Sequence, residues 1–371
     1  MKKGFSLWFL LIAVSLIFTG CEEKSYRLFV GGFTVDNKKG MTVFDFNSDT
    51  GILNFVSQTD VGKNPSYFCY SERNKLMYVL NEVMEFRGEF GGGLTTFKYN
   101  PADASFERKD QFLIPYGGPC YISMSPDSAH LFIANYPNGS VAVVGLDNNG
   151  IPEKVADTVI YYKVAPKPSH AHMIQNDPSG KKVYVTDLGL DRIMIYDFDK
   201  NSGRLNLATN DTVNLPAGSG PRHFTFNSDG SKMYVINELG SKMMSFDVDE
   251  QGGLKLLQTF PTFRDGYQEN NYCADIHISK DGRFLYGSNR GENTIVTYRI
   301  QKDGTLSLAG HTSCGGNWPR NFTLDPSGKF LLVGNQKSNN ISVFRLNRRT
   351  GLPEAPAKNF TVSAPACLKF Y

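Results

Sequence analysis

The stretch PSHAH, Pro168 to His172, sets two histidines two residues apart just before an ordinary strand-turn-strand text. On a strand, residues i and i+2 share a face, so His170 and His172 point the same way. That spacing suits a structural pair, a metal site or half of a catalytic apparatus, and the stretch alone does not choose. Zinc would ask for a third protein ligand in register, and none stands out. No HExxH, GxSxG or P-loop text occurs either. Other residue types able to join the histidines in chemistry are Glu238, Arg222, Arg290 and Arg320. An imidazole or a carboxylate moves protons at a reacting centre. A guanidinium stabilises a developing oxyanion or grips an anionic tail in its fork. Whether these groups act together depends on what elements carry them.

Internal repeats supply those elements. DPSGKKVYV (Asp177 to Val185), NSDGSKMYV (Asn227 to Val235), SKDGRFLYG (Ser279 to Gly287) and DPSGKFLLV (Asp325 to Val333) align on their turns. SPDSAHLFI (Ser125 to Ile133) and SERNKLMYV (Ser71 to Val79) join the column. Each is a polar turn between alternating apolar strands, which predicts a hairpin. Upstream of each turn stands a proline or small residue: Pro65, Pro119, Ala171, Pro221, Cys273, Pro319. Downstream come a third strand, such as ISVFRL or RIMIYDF, and a turn into a fourth. The copies recur roughly every 50 residues, the period of a propeller blade. A seventh copy is split. The final APACLKFY, Ala364 to Tyr371, matches a first strand, and YRLFVGGFT, MTVFDFN and GILNFVS near the other end match strands two to four. The expectation is an all-β, seven-bladed propeller of four-stranded antiparallel blades over 26–371, closed by the last strand joining the first blade. Closure covers edges that an open array would expose. The Gly-His and Trp-Asp markers of another common propeller repeat are missing.

Aligned without gaps, the residue after the column position is Ser66, Cys120, His172, Arg222, Ala274, Arg320 and Ala366. These should ring one mouth of the central channel. The second strand of each blade runs antiparallel and ends beside the first strand's beginning. Its terminal pairs are Asn81-Glu82, Asn135-Tyr136, Asp187-Leu188, Asn237-Glu238, Asn289-Arg290 and Asn335-Gln336. Glu238 and Arg290 are therefore expected to approach His172, Arg222 and Arg320 in one funnel. Polar side chains merely facing channel water, or a structural ion pair on Glu238, are the plainer accounts of the same pattern.

GPRH (Gly220 to His223), INELGS (Ile236 to Ser241), SNRGENTI (Ser288 to Ile295), SHAH and DLGLDRI resemble the lactonase family of seven-bladed propellers. That family includes the propeller-type 6-phosphogluconolactonase and the fungal carboxy-muconate lactonizing enzyme. NPSY (Asn64 to Tyr67), ANYPNGSV (Ala134 to Val141) and VGGFT extend the resemblance over nearly the whole chain past residue 25. It implies hydrolysis of an acidic sugar lactone, without metal or cofactor. Carried through the motifs, the implied catalytic set falls on His172, Arg222, Glu238 and Arg290. His170, Arg320, Asn237 and Asn289 are expected to contact substrate. Two other readings stay open: a muconate-type cycloisomerase, and a propeller that binds a ligand in its funnel without turning it over. A carboxylate among arginines favours catalysis over the last.

The opening MKKGFSLWFLLIAVSLIFTGC has a basic start, an apolar run from Phe5 to Phe18 and a small-residue exit. The run is too short for a spanning helix and is followed by polar text, which predicts an export signal over residues 1–20. Cys21 after Thr19-Gly20 resembles the lipidated cysteine of bacterial lipoproteins, so attachment to a membrane through a lipid anchor only is expected at the cell envelope. Phe18 stands where such motifs usually carry Leu. The net charge of +3 falls toward neutrality once Lys2 and Lys3 are removed. A near-neutral surface gives no basic footprint for nucleic acid. Of the six cysteines, the five after Cys21 form no CxxC pair and sit mostly in apolar strand text, which predicts buried thiols. The sequence is silent on the oligomeric state.

Overall fold

The structure is a computed structural model describing residues 25–34, 40–161 and 168–371, apart from the side chains of 209–211 and 356–357. Its strands assemble into seven four-stranded antiparallel sheets. Blade 2 comprises Tyr67–Ser71, Leu76–Asn81, Gly92–Asn100 and Ser105–Ile114, and blade 3 begins with Pro119–Met124. Blades 4, 5, 6 and 7 begin with Ala171–Asn176, Pro221–Phe226, Tyr272–Ile278 and Pro319–Leu324. These first strands touch one another in ring order and so line the axis. Blade 1 is built from both ends of the chain: Pro365–Phe370 pairs antiparallel with Ser25–Gly32, which continues to Met41–Asn47 and Ile52–Thr59. The expected split blade is therefore present. One element was not expected, a small hairpin of Glu85–Phe86 and Glu89–Phe90 inserted in blade 2.

Burial explains why the text reads as it does. Second strands such as Leu76–Asn81 and Phe330–Asn335 are buried along their whole length, sandwiched between neighbouring blades. Fourth strands such as Leu254–Pro261 are half-buried or exposed along their length. The hairpin turns follow the polar signature: in Asp177 to Lys182 the Asp177 carboxylate accepts from the backbone N–H of Lys181 and Lys182, at 3.1 and 3.0 Å. Gly180 takes the positive φ of 72° that the turn requires.

Successive blades are latched by a tyrosine absent from the expectations above. Tyr78, Tyr184, Tyr234 and Tyr286 each lie on a second strand, fully buried, and each donates its hydroxyl to a glycine carbonyl in the next blade's turn. The acceptors are Gly150, Gly252, Gly304 and Gly351, at 2.7, 2.7, 3.1 and 2.9 Å. A buried phenol needs such a partner, and the glycine-bearing turn lets the chain come close. Cys69, Cys120, Cys273, Cys314 and Cys367 are buried free thiols, as expected. Residues 1–20 and Cys21 lie outside the described residues. Among the described residues, no helix is long and apolar enough to cross a membrane.

Candidate active site

At one mouth, six of the seven first strands carry a β-bulge at the same place. Pro119, Ala171, Pro221, Cys273 and Pro319 pair with Asn135, Asp187, Asn237, Asn289 and Asn335, and the register then slips. The same slip occurs between Pro365 and Cys367 in blade 1. The residues left over in the slips are Cys120, His172, Arg222, Ala274 with Asp275, Arg320 and Ala366. A bulge leaves one residue unpaired and re-aims its side chain. That is how His172, Arg222 and Arg320 come to line a single small axial cavity, with Ser66, Cys120 and Ala366. The cavity has room for roughly one water molecule.

A second ring lies just above. Phe33, Glu82, Tyr136, Leu188, Glu238 and Gln336 are held alike: each donates its backbone N–H to the carbonyl of the residue before the column position. For Glu238 the acceptor is Gly220, at 2.7 Å. Gly220 has φ +59°, and a Cβ there would lie 2.6 Å from the Leu239 side chain, so glycine suits both the turn and the packing.

Four expected residues converge here. Glu238 Oε2 lies 2.9 Å from Arg222 Nε and 2.7 Å from Arg290 Nη2, so one carboxylate oxygen holds two guanidinium groups. The Arg222 Nε–H is not aimed along that line, which makes the contact ionic rather than a directed hydrogen bond. Arg222 Nη1 donates to the Ala274 carbonyl and to His223 Nε2, 3.3 Å away. Thr186 Oγ1 donates to the Arg222 carbonyl at 2.7 Å. Arg290 donates from Nε and Nη2 to the Tyr272 and Cys273 carbonyls, at 3.2 and 2.9 Å, and lies over Trp318, 5.4 Å from its centroid. The His172 ring sits 5.1 Å from that of His223 and 5.6 Å from that of Tyr136. Its Nδ1 is sealed from solvent without a partner.

Electrostatics assign protonation states. Burial, then Arg222, His223, Arg320 and Arg290, push the His172 imidazole well below its ordinary value, so it is neutral at pH 7. Burial would raise the Glu238 carboxyl, but Arg290, Arg222 and Arg320 outweigh it and hold the group low and ionised. Burial brings Arg290 down to about 10, leaving it charged. Arg320 stacks on Phe33 at 5.1 Å and has no carboxylate partner among the described residues.

The remaining expected contacts divide. His170 is at the rim, half-buried, stacked on Tyr136 at 4.5 Å with Nδ1 3.0 Å from the Tyr136 carbonyl. Asn237 and Asn289 do not reach the cavity, which overturns their expected contact with substrate. Both are fully buried, and their amides brace the blades from within. Asn237 Nδ2 donates to the Lys242 carbonyl at 3.1 Å, and Asn289 Nδ2 to the Thr262 carbonyl at 2.6 Å. Asn81, Asn135 and Asn335 serve alike. An asparagine at this point satisfies backbone groups that the end of the ladder leaves bare.

The floor beneath the cavity was missed. Asp275, fully buried, takes His223 Nδ1–H at 2.8 Å, His277 Nε2 at 3.1 Å, and the backbone N–H of Phe322 at 3.2 Å. Asn321 Nδ2 also donates to it. With Nδ1 protonated toward Asp275, His223 offers its Nε2 lone pair to Arg222. Burial and Arg222 push the His223 imidazole down to about 4, against the pull of Asp275. The signal was available: the register one residue further on reads Tyr67, Tyr121, Met173, His223, Asp275, Asn321 and Cys367. Among the described residues, no group of three His, Cys, Asp or Glu could hold a metal ion.

The family model for the seven-bladed β-propeller lactonases matches residues 27–370. A protein of Formosa agariphila named 6-phosphogluconolactonase is 32% identical over 355 residues, covering 93% of this chain and 99% of that protein. The Bacillus subtilis 6-phosphogluconolactonase is 25% identical over 352 residues, 93% and 98% of the two chains. Among solved structures, the periplasmic gluconolactonase of Pseudomonas aeruginosa superposes with a TM-score of 0.87 at 30% identity, over 94% of this chain and 99% of that one.

Proposed function

The chain belongs to the seven-bladed β-propeller lactonase family, and from that premise we propose that its funnel opens a sugar lactone with His172 as the base and Arg222 as the oxyanion donor. The observation that carries this reading is geometric: His172 and Arg222 line one cavity, and the Arg222 and Arg290 guanidinium groups are locked on one Glu238 oxygen. Arg222 is held through Nε and Nη1 and lines the axial cavity. A lactone carbonyl oxygen placed there gains charge as water attacks and meets a preorganised donor. His172 takes the proton of the attacking water. The tetrahedral intermediate then collapses, the ring C–O bond breaks, and His172 returns the proton to the leaving alkoxide. The product is a hydroxy acid that ionises and releases one proton to solvent.

Glu238, paired with two cations and held ionised, is a poor proton acceptor; its part is to keep Arg222 and Arg290 in place. Arg320, the cation without a carboxylate, takes the anionic group of an acidic substrate or the product carboxylate. The basic start, apolar run and Thr19-Gly20-Cys21 support export and a lipid anchor at Cys21, and the Pseudomonas relative is itself periplasmic. Purified residues 22–371 should acidify an unbuffered solution containing sugar δ- and γ-lactones well above the uncatalysed drift. A drift equal to that of a His172→Ala, Arg222→Ala double variant across the whole panel would remove the enzyme reading and leave a binding propeller.

A further inference from the structure

The mouth carries a second carboxylate, and the mechanism above has no use for it. Glu82 stands in blade 2 at the position Glu238 holds in blade 5, three blades away, as far across a seven-bladed ring as two blades can be. Its backbone is fixed from both sides: N–H donates to the Asn64 carbonyl at 3.0 Å, and its carbonyl accepts from Asn64 Nδ2 at 3.2 Å. Its side chain is not matched. Oε2 is sealed from solvent with no hydrogen-bond partner, and neither oxygen has a donor among the described residues. A carboxylate oxygen sealed without a donor is costly.

Two further polar oxygens nearby share that condition. Ser66 Oγ, on the wall of the axial cavity, and Gln336 Oε1, in the upper ring at blade 7, are both sealed and without partners. Ser66 stands at the start of blade 2 with Glu82, across the ring from Glu238 and Arg290 of blades 5 and 6, whereas Gln336 stands in blade 7, next to the blade of Arg290. The Cys120 thiol between the two sides feels both: burial raises its pKa first, Glu82 raises it further, and Arg222 and Arg320 oppose.

We propose that Glu82, with Ser66 in the same blade, forms a hydroxyl-reading subsite that selects polyhydroxylated lactones by accepting hydrogen bonds from ring hydroxyls, across the ring from Arg222 and Arg290. The proposal rests on the lactonase reading for its ligand class and extends it to a residue outside the four already placed. A sugar ring supplies the O–H donors that these oxygens lack. A lactone without hydroxyls leaves Glu82 as unsatisfied as before. Glu82 makes no side-chain bond within the protein, so its loss should leave the fold intact.

The test compares glucono-δ-lactone with unsubstituted δ-valerolactone for the wild type, Glu82→Gln and Glu82→Ala. Glu82→Ala should lower kcat/KM on gluconolactone by about 10- to 100-fold, mainly through KM, as expected for a lost hydrogen bond to a charged group. On valerolactone the same variant should stay within about twofold of wild type. An equal fall on both lactones would make Glu82 structural or generally catalytic, and no fall on either would overturn the proposal. Calorimetric binding of gluconate, the opened product, keeps the two readings apart. If the wild type turns over neither lactone, the hydrolase reading fails. Weaker gluconate binding by Glu82→Ala would still support the subsite, and unchanged binding would sink it.

Discussion

Glu238 shows how much a neighbour decides about a side chain. A carboxylate in a funnel looks like a base, yet two guanidinium groups within 2.9 Å on the same oxygen remove most of its appetite for a proton. Glu238→Gln keeps the shape but leaves Arg222 and Arg290 uncompensated in a buried site, where an unpaired charge is expensive. The expected result is a fall in kcat of about two orders of magnitude with a lowered melting temperature. Unchanged turnover, measured below the melting point, would dismiss the arginine-holding role. His172 yields a pH prediction. A base works when deprotonated, and this imidazole is pushed well below 6.5 by burial and four neighbouring groups. Falling pH therefore protonates it late, and kcat/KM should persist below pH 6.5 before its acid limb begins. An acid limb at or above 6.5 would place the essential base elsewhere. His170, half-buried at the rim and stacked on Tyr136, should tolerate alanine better than His172 does.

Among the elements, the bulged first strand does the positioning. One extra residue per strand turns a side chain that would lie flat against the next blade into the axis, and the asparagine opposite caps the bare ladder end. The tyrosine latch works between blades, where four buried hydroxyls each hold a neighbour's turn. Tyr184→Phe removes one hydroxyl and leaves the Gly252 carbonyl without its donor. It should cost about 1 to 2 kcal/mol in equilibrium denaturation. Activity should stay near wild type, since the Tyr184 hydroxyl bonds the Gly252 carbonyl and no residue of the site. A midpoint that does not move would mean that water replaces the phenol without loss.

For the molecule as a whole, closure is the condition on which the site depends. Pro365–Phe370 contributes Ala366 to the cavity wall and buries Cys367 and Leu368 against the neighbouring blades. Without it, Ser25–Gly32 becomes an open edge, able to pair with another chain. Deleting 365–371 should give a protein that aggregates or melts far below the full chain. A truncated protein with the original melting curve would show that six blades and a fragment suffice. Release from the membrane fraction on Cys21→Ser would support the lipid anchor, and retention would place attachment elsewhere.

The repeat pattern alone determined the blade count, the split first blade and the two registers that bring His172, Arg222, Glu238 and Arg290 to one mouth. Those follow from strand periodicity and turn chemistry, which are local properties written in each copy. The same registers misplaced Asn237 and Asn289, because adjacent residues on a strand point to opposite sides and a list of positions does not say which side is sealed. The bulges were decided by strand pairing within each blade; the tyrosine latches, the Asp275 floor and the donor-less oxygens of Glu82 and Gln336 were decided only by the closed ring. Each of these last depends on what a neighbouring blade presents at hydrogen-bond distance, and blades that are neighbours in space are about fifty residues apart in the chain.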